Sequence, residues 1–471
     1  MKRRLTALLA TAVIASPLAY GDYQLSPEVP PPGSRVVTVY AANSRGYAIG
    51  TITTTGNDSQ PVFWATPSTP EINSGNLGGG PAALLGLAPS VPGTCGYARD
   101  KRGVINAVMG DNDEIWPLSI NGVGVVPHIF GVCNAIRDDD IGVGEMQDSD
   151  GYVHAAFWWN PGGGTLGDLG GHYSSATAIS SGPGTPSIAG FAALGSGHIH
   201  ATFWKWYRYE PVDLGTLNGG ANSYAYGISD SLQIVGSSEI AAVGADGAHY
   251  RHATLWPTPT ADAITDLGTL PNGLTSLAKS INSAGQIVGQ SDAGNGLQHA
   301  VLWGGGKIYD LNQVFAGLLP PNVVLTDAPS IASNGLIQVN GHNTVTGELV
   351  FYQAKPVTPT TVVLVSSLNP SSQGQTVTFT ATIRPVTNSP ITVLPKNGSV
   401  IFRDDGKVLA KVSLFLTNVA SYSTKSLTMG RHAITASYSG FEPFQPADSP
   451  TLTQSVILKT VPQSPPTVRR N

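Results

Sequence analysis

The sequence predicts an all-β protein, a seven-bladed β-propeller of four-stranded blades followed by an antiparallel β-sandwich. Three observations carry that prediction. Only 12% of the 471 residues are charged, while 56 Gly and 35 Pro supply a dense stock of turn residues, which excludes helical bundles and coiled coils. A five-residue pattern recurs at intervals of about 45–50 residues, the length of four short strands and their turns. Beyond residue 362 the spacing changes to strict alternation, apolar residue in and polar residue out, as in a two-sheet sandwich.

Charge and hydropathy remove other classes. A net charge of −5 offers no basic field for phosphates, which argues against a nucleic-acid partner. Disorder needs low hydrophobicity, and 41% hydrophobic residues contradict it.

The chain opens on Lys2-Arg3-Arg4, an apolar run from Leu5 to Leu18, and Ala19-Tyr20-Gly21. A basic start, a short apolar stretch and small residues before Asp22 read as a Sec-type signal peptide over 1–21. The run is shorter than the ~20 residues that span a bilayer, so the expectation is a secreted, extracellular protein without membrane insertion.

The propeller is expected over 22–355. Its clearest repeats are His154-Ala155-Ala156-Phe157-Trp158, His200-Ala201-Thr202-Phe203-Trp204, His252-Ala253-Thr254-Leu255-Trp256 and His299-Ala300-Val301-Leu302-Trp303. Trp64, Trp116 and Tyr352 extend the series to seven aromatic anchors. Ahead of the His stand segments such as Gln233-Ile234-Val235-Gly236 and Gln286-Ile287-Val288-Gly289; behind it come Asp168, Asp213, Asp266 and Asp310. The seventh repeat ends at its third strand. Tyr23-Gln24-Leu25-Ser26-Pro27 is therefore expected to supply the missing fourth, which would spare the ring two open sheet edges.

Ser280-Ile281-Asn282, Gly285-Gln286-Ile287-Val288-Gly289, His299-Ala300-Val301-Leu302-Trp303 and Asp266-Leu267-Gly268-Thr269-Leu270 resemble the extracellular HAF-repeat proteins of bacteria. The resemblance covers roughly residues 23 to 355 and is specific in the last four repeats. It implies repeats and export and brings no established activity with it. Residues 356–362 read as a stiff Pro/Thr linker. The stretch 363–460 resembles a bacterial Ig-like repeat domain, with Asn369-Pro370, Gly398-Ser399-Val400-Ile401-Phe402 and His432 to Gly440 as its landmarks. Residues 461–471 are expected to be a disordered tail.

Standard enzymatic signatures are missing: no Gly-x-Ser-x-Gly, His-Glu-x-x-His, Cys-x-x-Cys or phosphate loop occurs. Gly162-Gly163-Gly164-Thr165-Leu166-Gly167 matches Gly-x-Gly-x-x-Gly, but a dinucleotide site needs a helix after it, and a hairpin is the better reading. The repeated His residues begin the same strand of different blades, so bonds within each blade are expected rather than a shared metal. Asp111-Asn112-Asp113-Glu114, Asp138-Asp139-Asp140 and Asp148-Ser149-Asp150-Gly151 are acidic loop clusters. Asp148 and Asp150 are the candidate Ca²⁺ ligands, although only part of a calcium loop is present; no other cofactor is expected. The two cysteines, Cys95 and Cys133, align within one repeat position, on the first strands of neighbouring blades. In an exported protein that suggests a disulfide, with two buried thiols as the alternative.

These readings together point to a secreted, non-catalytic binding or cell-surface scaffold protein. Its propeller loops would recognise an extracellular glycan or protein, and the Ig-like domain would act as spacer or adhesion module. The alternative is an extracellular polysaccharide hydrolase or lyase working from a propeller face. Any site is expected on the loops of the second and third repeats, where Asp and Gly depart most from the pattern.

Overall fold

The computed structural model describes residues 23–458, apart from 55–58, 73–76, 111–114, 119–129, 160–161, 183, 207–208, 219, 246, 262, 295, 387–393 and 442. The expected signal peptide, the tail and the acidic cluster at 111–114 lie outside the described residues.

The described chain is all-β and propeller-like, with one short helix, Leu311–Val314, among the described residues. It divides into two compact units, one ending at Lys355 and one beginning at Pro356. In the first unit, successive four-stranded antiparallel sheets span residues 34–72 (sheet I), 78–117 (II), 131–165 (III), 170–213 (IV), 223–268 (V) and 276–310 (VI). A single parallel pair, Val153 with Tyr173, joins sheets III and IV. Sheet VII takes Val323–Ile331, Ile337–Asn343 and Leu349–Pro356 from the end of the unit. Its fourth strand is Tyr23–Pro27 from the beginning. The strand expected to close the series therefore does so.

Why these segments stack is visible in the core. Ala178, Ala189 and Phe203 of sheet IV share one buried cluster with Ala225, Ile234 and Trp256 of sheet V. Ala332 and Phe351 of sheet VII pack with Val36, Val62 and Trp64 of sheet I in the same manner. Each sheet is apolar on both faces and buries them on its neighbours, so the first and last sheets meet. Side-chain hydrogen bonds cross each seam. The Trp204 indole donates to the Gly167 carbonyl (2.8 Å) and Trp256 to Leu214 (2.9 Å). Asn43 and Asn282 close their own turns through Oδ1 and donate through Nδ2 to Ala88 and Ala332 of the next sheet.

One glycine position recurs in all seven sheets. The first strand bulges between Ala225 and Gly227, bringing the Tyr224 carbonyl over Gly236 on the second strand. A Cβ there would overlap that oxygen, and the same holds at Gly50, Gly96, Gly144, Gly190, Gly289 and Gly341. Gly236→Ala is expected to cost about 1–3 kcal/mol as the strands are forced apart; urea unfolding measures it, and an unchanged midpoint would contradict the packing argument.

The structure changes three expectations. Trp116 is no anchor: it lies on the short fourth strand Ile115–Pro117, half exposed, and Gly110 holds the tryptophan register on the third. Cys95 lies on the second strand of sheet II, Thr94–Asp100, whereas Cys133 is on the first strand of sheet III. The expected linker is shorter, because Thr360–Ser366 is already a strand, paired with Val377–Pro385.

The second unit packs a three-stranded sheet (Thr360–Ser366, Val377–Pro385, Val419–Thr424) and a larger sheet around one core. Phe379, Phe402, Ile434 and Tyr438 lie at its centre, each on an alternating position of its strand. His432 and Asp404 pair at 2.8 Å between Gly430–Tyr438 and Ser399–Asp404.

Candidate functional site

The repeated histidines resolve into pairs within their own sheets. His200 Nδ1 lies 2.8 Å from Asp213, His252 Nδ1 2.8 Å from Asp266 and His299 Nδ1 2.9 Å from Asp310. The same aspartates accept backbone N–H groups two residues on, from Gly215, Gly268 and Asn312. Each pair thus ties the start of a third strand to the turn that leaves the fourth. His154 is the variant: its Nδ1 is 3.6 Å from Asp168, and its Nε2 reaches Asp148 at 3.0 Å.

Burial raises the Asp266 pKa, yet the His252 hydrogen bond and the Gly268 N–H outweigh it and hold the carboxyl below its ordinary value. A carboxyl with a depressed folded pKa stabilises the fold above its unfolded value, and that contribution disappears as pH falls through the folded one. The melting difference between the parent chain and Asp266→Asn is expected to be present at pH 6 and to shrink as pH falls below the ordinary carboxyl value of 3.8. A pH-independent difference would contradict the pairing.

Of the calcium candidates, Asp148 is otherwise employed. Asp148 Oδ1 accepts the N–H groups of Asp150 and Tyr152, both at 2.9 Å, and its other oxygen meets His154. This is the side-chain-closed turn that Asp favours. Asp139 of the neighbouring cluster pairs with Arg137 at 3.0 Å. Among the described residues, the one group of three acidic or His side chains close enough for a metal is Asp404, Asp405 and His432, and Asp148 and Asp150 are not in it. There His432 already meets Asp404 through Nδ1 and the Thr428 carbonyl through Nε2, leaving neither ring nitrogen open. Gly162–Thr165 is the fourth strand of sheet III, so no helix follows the glycine motif.

Cys95 and Cys133 are free and fully buried, which corrects the expected disulfide. They share one apolar cluster with Met109 and Trp158. Burial, reinforced by Cys133 alongside, pushes the Cys95 thiol well above its ordinary value. An aromatic disulfide reagent is expected to titrate two thiols only after denaturation; no titratable thiol in denaturant would restore the disulfide.

Among the described residues, two clefts open in the first unit. One, of about 270 Å³, lies along the seam of sheets V and VI. Sheet V supplies Tyr226, Ser237, His249 and Arg251; sheet VI supplies Leu277, Gln290 and Gln298, with Thr275 at its start. Arg251 stacks over the Tyr224 ring at 4.8 Å and lies 3.5 Å from Glu239. The buried Glu239 carboxylate is in turn held by the Asn222 backbone and side-chain N–H groups at 3.0–3.1 Å. Burial raises the Tyr226 phenol, which stays a neutral hydroxyl. The tyrosines flank Ala225 on Ser223–Ile228; sheets IV and VI keep an alanine at that position, Ala176 and Ala278, and carry other flanks.

The second cleft, of about 530 Å³, lies at the closure between Tyr23–Pro27, sheet I and sheet VII. Its walls include Pro27, Glu28, Arg35, Glu348, Phe351 and Tyr352.

Comparison with known proteins gives a family for one part of the chain and distant structural similarity over more of it. No curated protein matches. Solved structures to which the chain is similar include an acylaminoacyl peptidase of Pyrococcus horikoshii (9% identity, TM-score 0.40), covering 74% of this chain and 58% of that one. A puromycin-hydrolysing peptidase of Mycobacterium tuberculosis shares 11% identity at TM-score 0.40, over 81% of this chain and 62% of that one. A prolyl endopeptidase shares 9% identity at TM-score 0.34, over 78% and 56%. The chain thus spans less than two thirds of the length of these neighbours. A non-catalytic role is not shown, and the expectation of a non-catalytic binding or scaffold protein is withdrawn. Residues 364–457 match the bacterial Ig-like domain (group 3), and the C-terminal part of this chain is a domain of that family.

Proposed function

We propose that the first unit is an exported seven-bladed β-propeller of HAF-type repeats, and that the cleft between sheets V and VI seats a saccharide unit as ligand or substrate. One observation carries the reading. Two amides (Gln290, Gln298), three hydroxyls (Tyr226, Ser237, Thr275) and one fixed guanidinium (Arg251) converge on a single cleft. Amides and hydroxyls each donate and accept, as sugar hydroxyls do, so such a lining matches a polyhydroxylated ring better than an ion. Glu239 neutralises Arg251, which removes the net charge that would favour an anion. A volume of about 270 Å³ lies just under the 300–1,000 Å³ of drug-sized sites, which suits one ring or two.

Saturation-transfer NMR on the purified chain with a panel of mono- and disaccharides tests this, and the same samples followed over time report turnover. Transfer to at least one sugar, lost in Gln290→Ala, is the expected result. No transfer from any sugar, or transfer indifferent to that change, contradicts the reading.

A further inference from the structure

We propose that Glu28 and Gln338 form a proton-operated latch on the closure of the first unit: with its carboxyl protonated, Glu28 holds the strand Tyr23–Pro27 on sheet VII, and loss of that proton loosens the strand.

The geometry singles out this carboxyl. Glu28 directly follows the closing strand and is 6% exposed. Its backbone N–H donates to Phe351 O at 3.0 Å, and the next residue, Val29, receives the Trp64 indole and donates to Pro67. Its oxygens meet two amides from sheet VII, Gln338 Nε2 at 3.0 Å and Gln353 Nε2 at 3.2 Å. Gln353 donates as well to Gly46 O of sheet I at 2.9 Å, so one cluster joins the closing strand, the last sheet and the first.

Among the described residues no cation touches it. The titratable groups lining the adjoining cleft are Arg35 of sheet I, Glu348 ahead of Leu349–Pro356, and Tyr352 on that strand; Ile337–Asn343 brings His342 and the closing strand Tyr23. The partners on the carboxyl itself are neutral amides. Two amide bonds are too few to hold a fully buried anion. A second observation marks where a proton belongs: Gln338 Oε1 is buried with no hydrogen-bond partner. Turning that amide by half a revolution puts its oxygen where Nε2 now stands, ready to accept a carboxyl proton from Glu28, in exchange for the long Nε2 contacts with Asn340 Oδ1 (3.4 Å) and Val339 O (3.5 Å).

Burial pushes Glu28 up from 4.5 to about 7, against the lowering effect of Gln353 and Gln338. The sign follows. Between 4.5 and about 7 the open strand gives up the proton and the closed strand keeps it, so closure weakens as pH rises and levels off above the upper value. Each pH unit in that window favours opening about tenfold, roughly 300-fold in all.

Hydrogen exchange by mass spectrometry on the whole chain, corrected for intrinsic rate, tests the latch. Protection of residues 23–29 is expected to fall about tenfold per unit across that window, while sheets III to V keep theirs. Glu28→Gln, neutral and nearly the same shape, should hold the low-pH protection up to pH 8.5. Protection that is flat with pH in the parent chain, or an equal fall in Glu28→Gln, overturns the proposal. If Glu28→Gln fails to fold, the parent profile still decides. Gln338→Met adds a second arm, since removing the acceptor should abolish the low-pH protection; retained protection would count against the latch.

Discussion

A chain lacking residues 22–32 is expected to melt roughly 10 °C below the parent. The deletion removes the fourth strand of sheet VII and strips partners from groups that stay behind. Gln338 and Gln353 lose Glu28, and the Trp64 indole loses Val29 O. Phe315 loses the edge-on ring of Tyr23 at 5.2 Å. A buried donor left without a partner costs about 1–3 kcal/mol, and several together reach about 5 kcal/mol. At about 2 °C per kcal/mol for a domain of this size, calorimetry should resolve the shift easily. An unchanged transition would mean that the strand decorates the sheet without closing it.

The second large effect is expected at Trp256. Its side chain is fully buried in the seam of sheets IV and V, and its indole bonds to the Leu214 carbonyl. Trp256→Ala should cost about 3–5 kcal/mol, through the lost contacts and the cavity left behind. Trp116→Ala is the control: half exposed on a three-residue strand, it should change stability by no more than about 0.5 kcal/mol. Equal costs for the two, in chemical unfolding, would show that the seams do not carry the core.

That contrast shows what the linear pattern conveys. Strand number, repeat length and closure by Tyr23–Pro27 were legible, because they follow from local spacing and from a missing strand that only one segment could supply. Gly236 and Gly289 were legible as landmarks, and the structure adds the cause, a bulged neighbour whose carbonyl leaves no room for Cβ. Trp116 misled, since composition marks an aromatic residue without saying which strand holds it. The Asp–His pairs were visible as recurring letters, and their partnership became plain only with the third and fourth strands side by side.

The sites were less legible, for a physical reason. Glu28 is separated from Gln338 by 310 residues and from Gln353 by 325. The cleft between sheets V and VI gathers one or two residues from each of six strands and one from the connection between sheets. Loop clusters such as Asp148 and Asp150 drew the eye instead, and Asp148 closes its own turn. Residues that vary while a neighbour holds, as Tyr224 and Tyr226 do around an alanine kept in sheets IV to VI, are the better guide to such a surface.

Calorimetric titration of the cleft tests the central claim most directly. The sugar giving the strongest NMR transfer would be titrated into the parent chain, Arg251→Ala and Gln298→Ala, with Trp116→Ala as a remote control. The account predicts that each cleft variant weakens binding about tenfold or more, the loss of one hydrogen bond to a charged or amide group, while the control binds as the parent does. Equal affinity across all four proteins would contradict it.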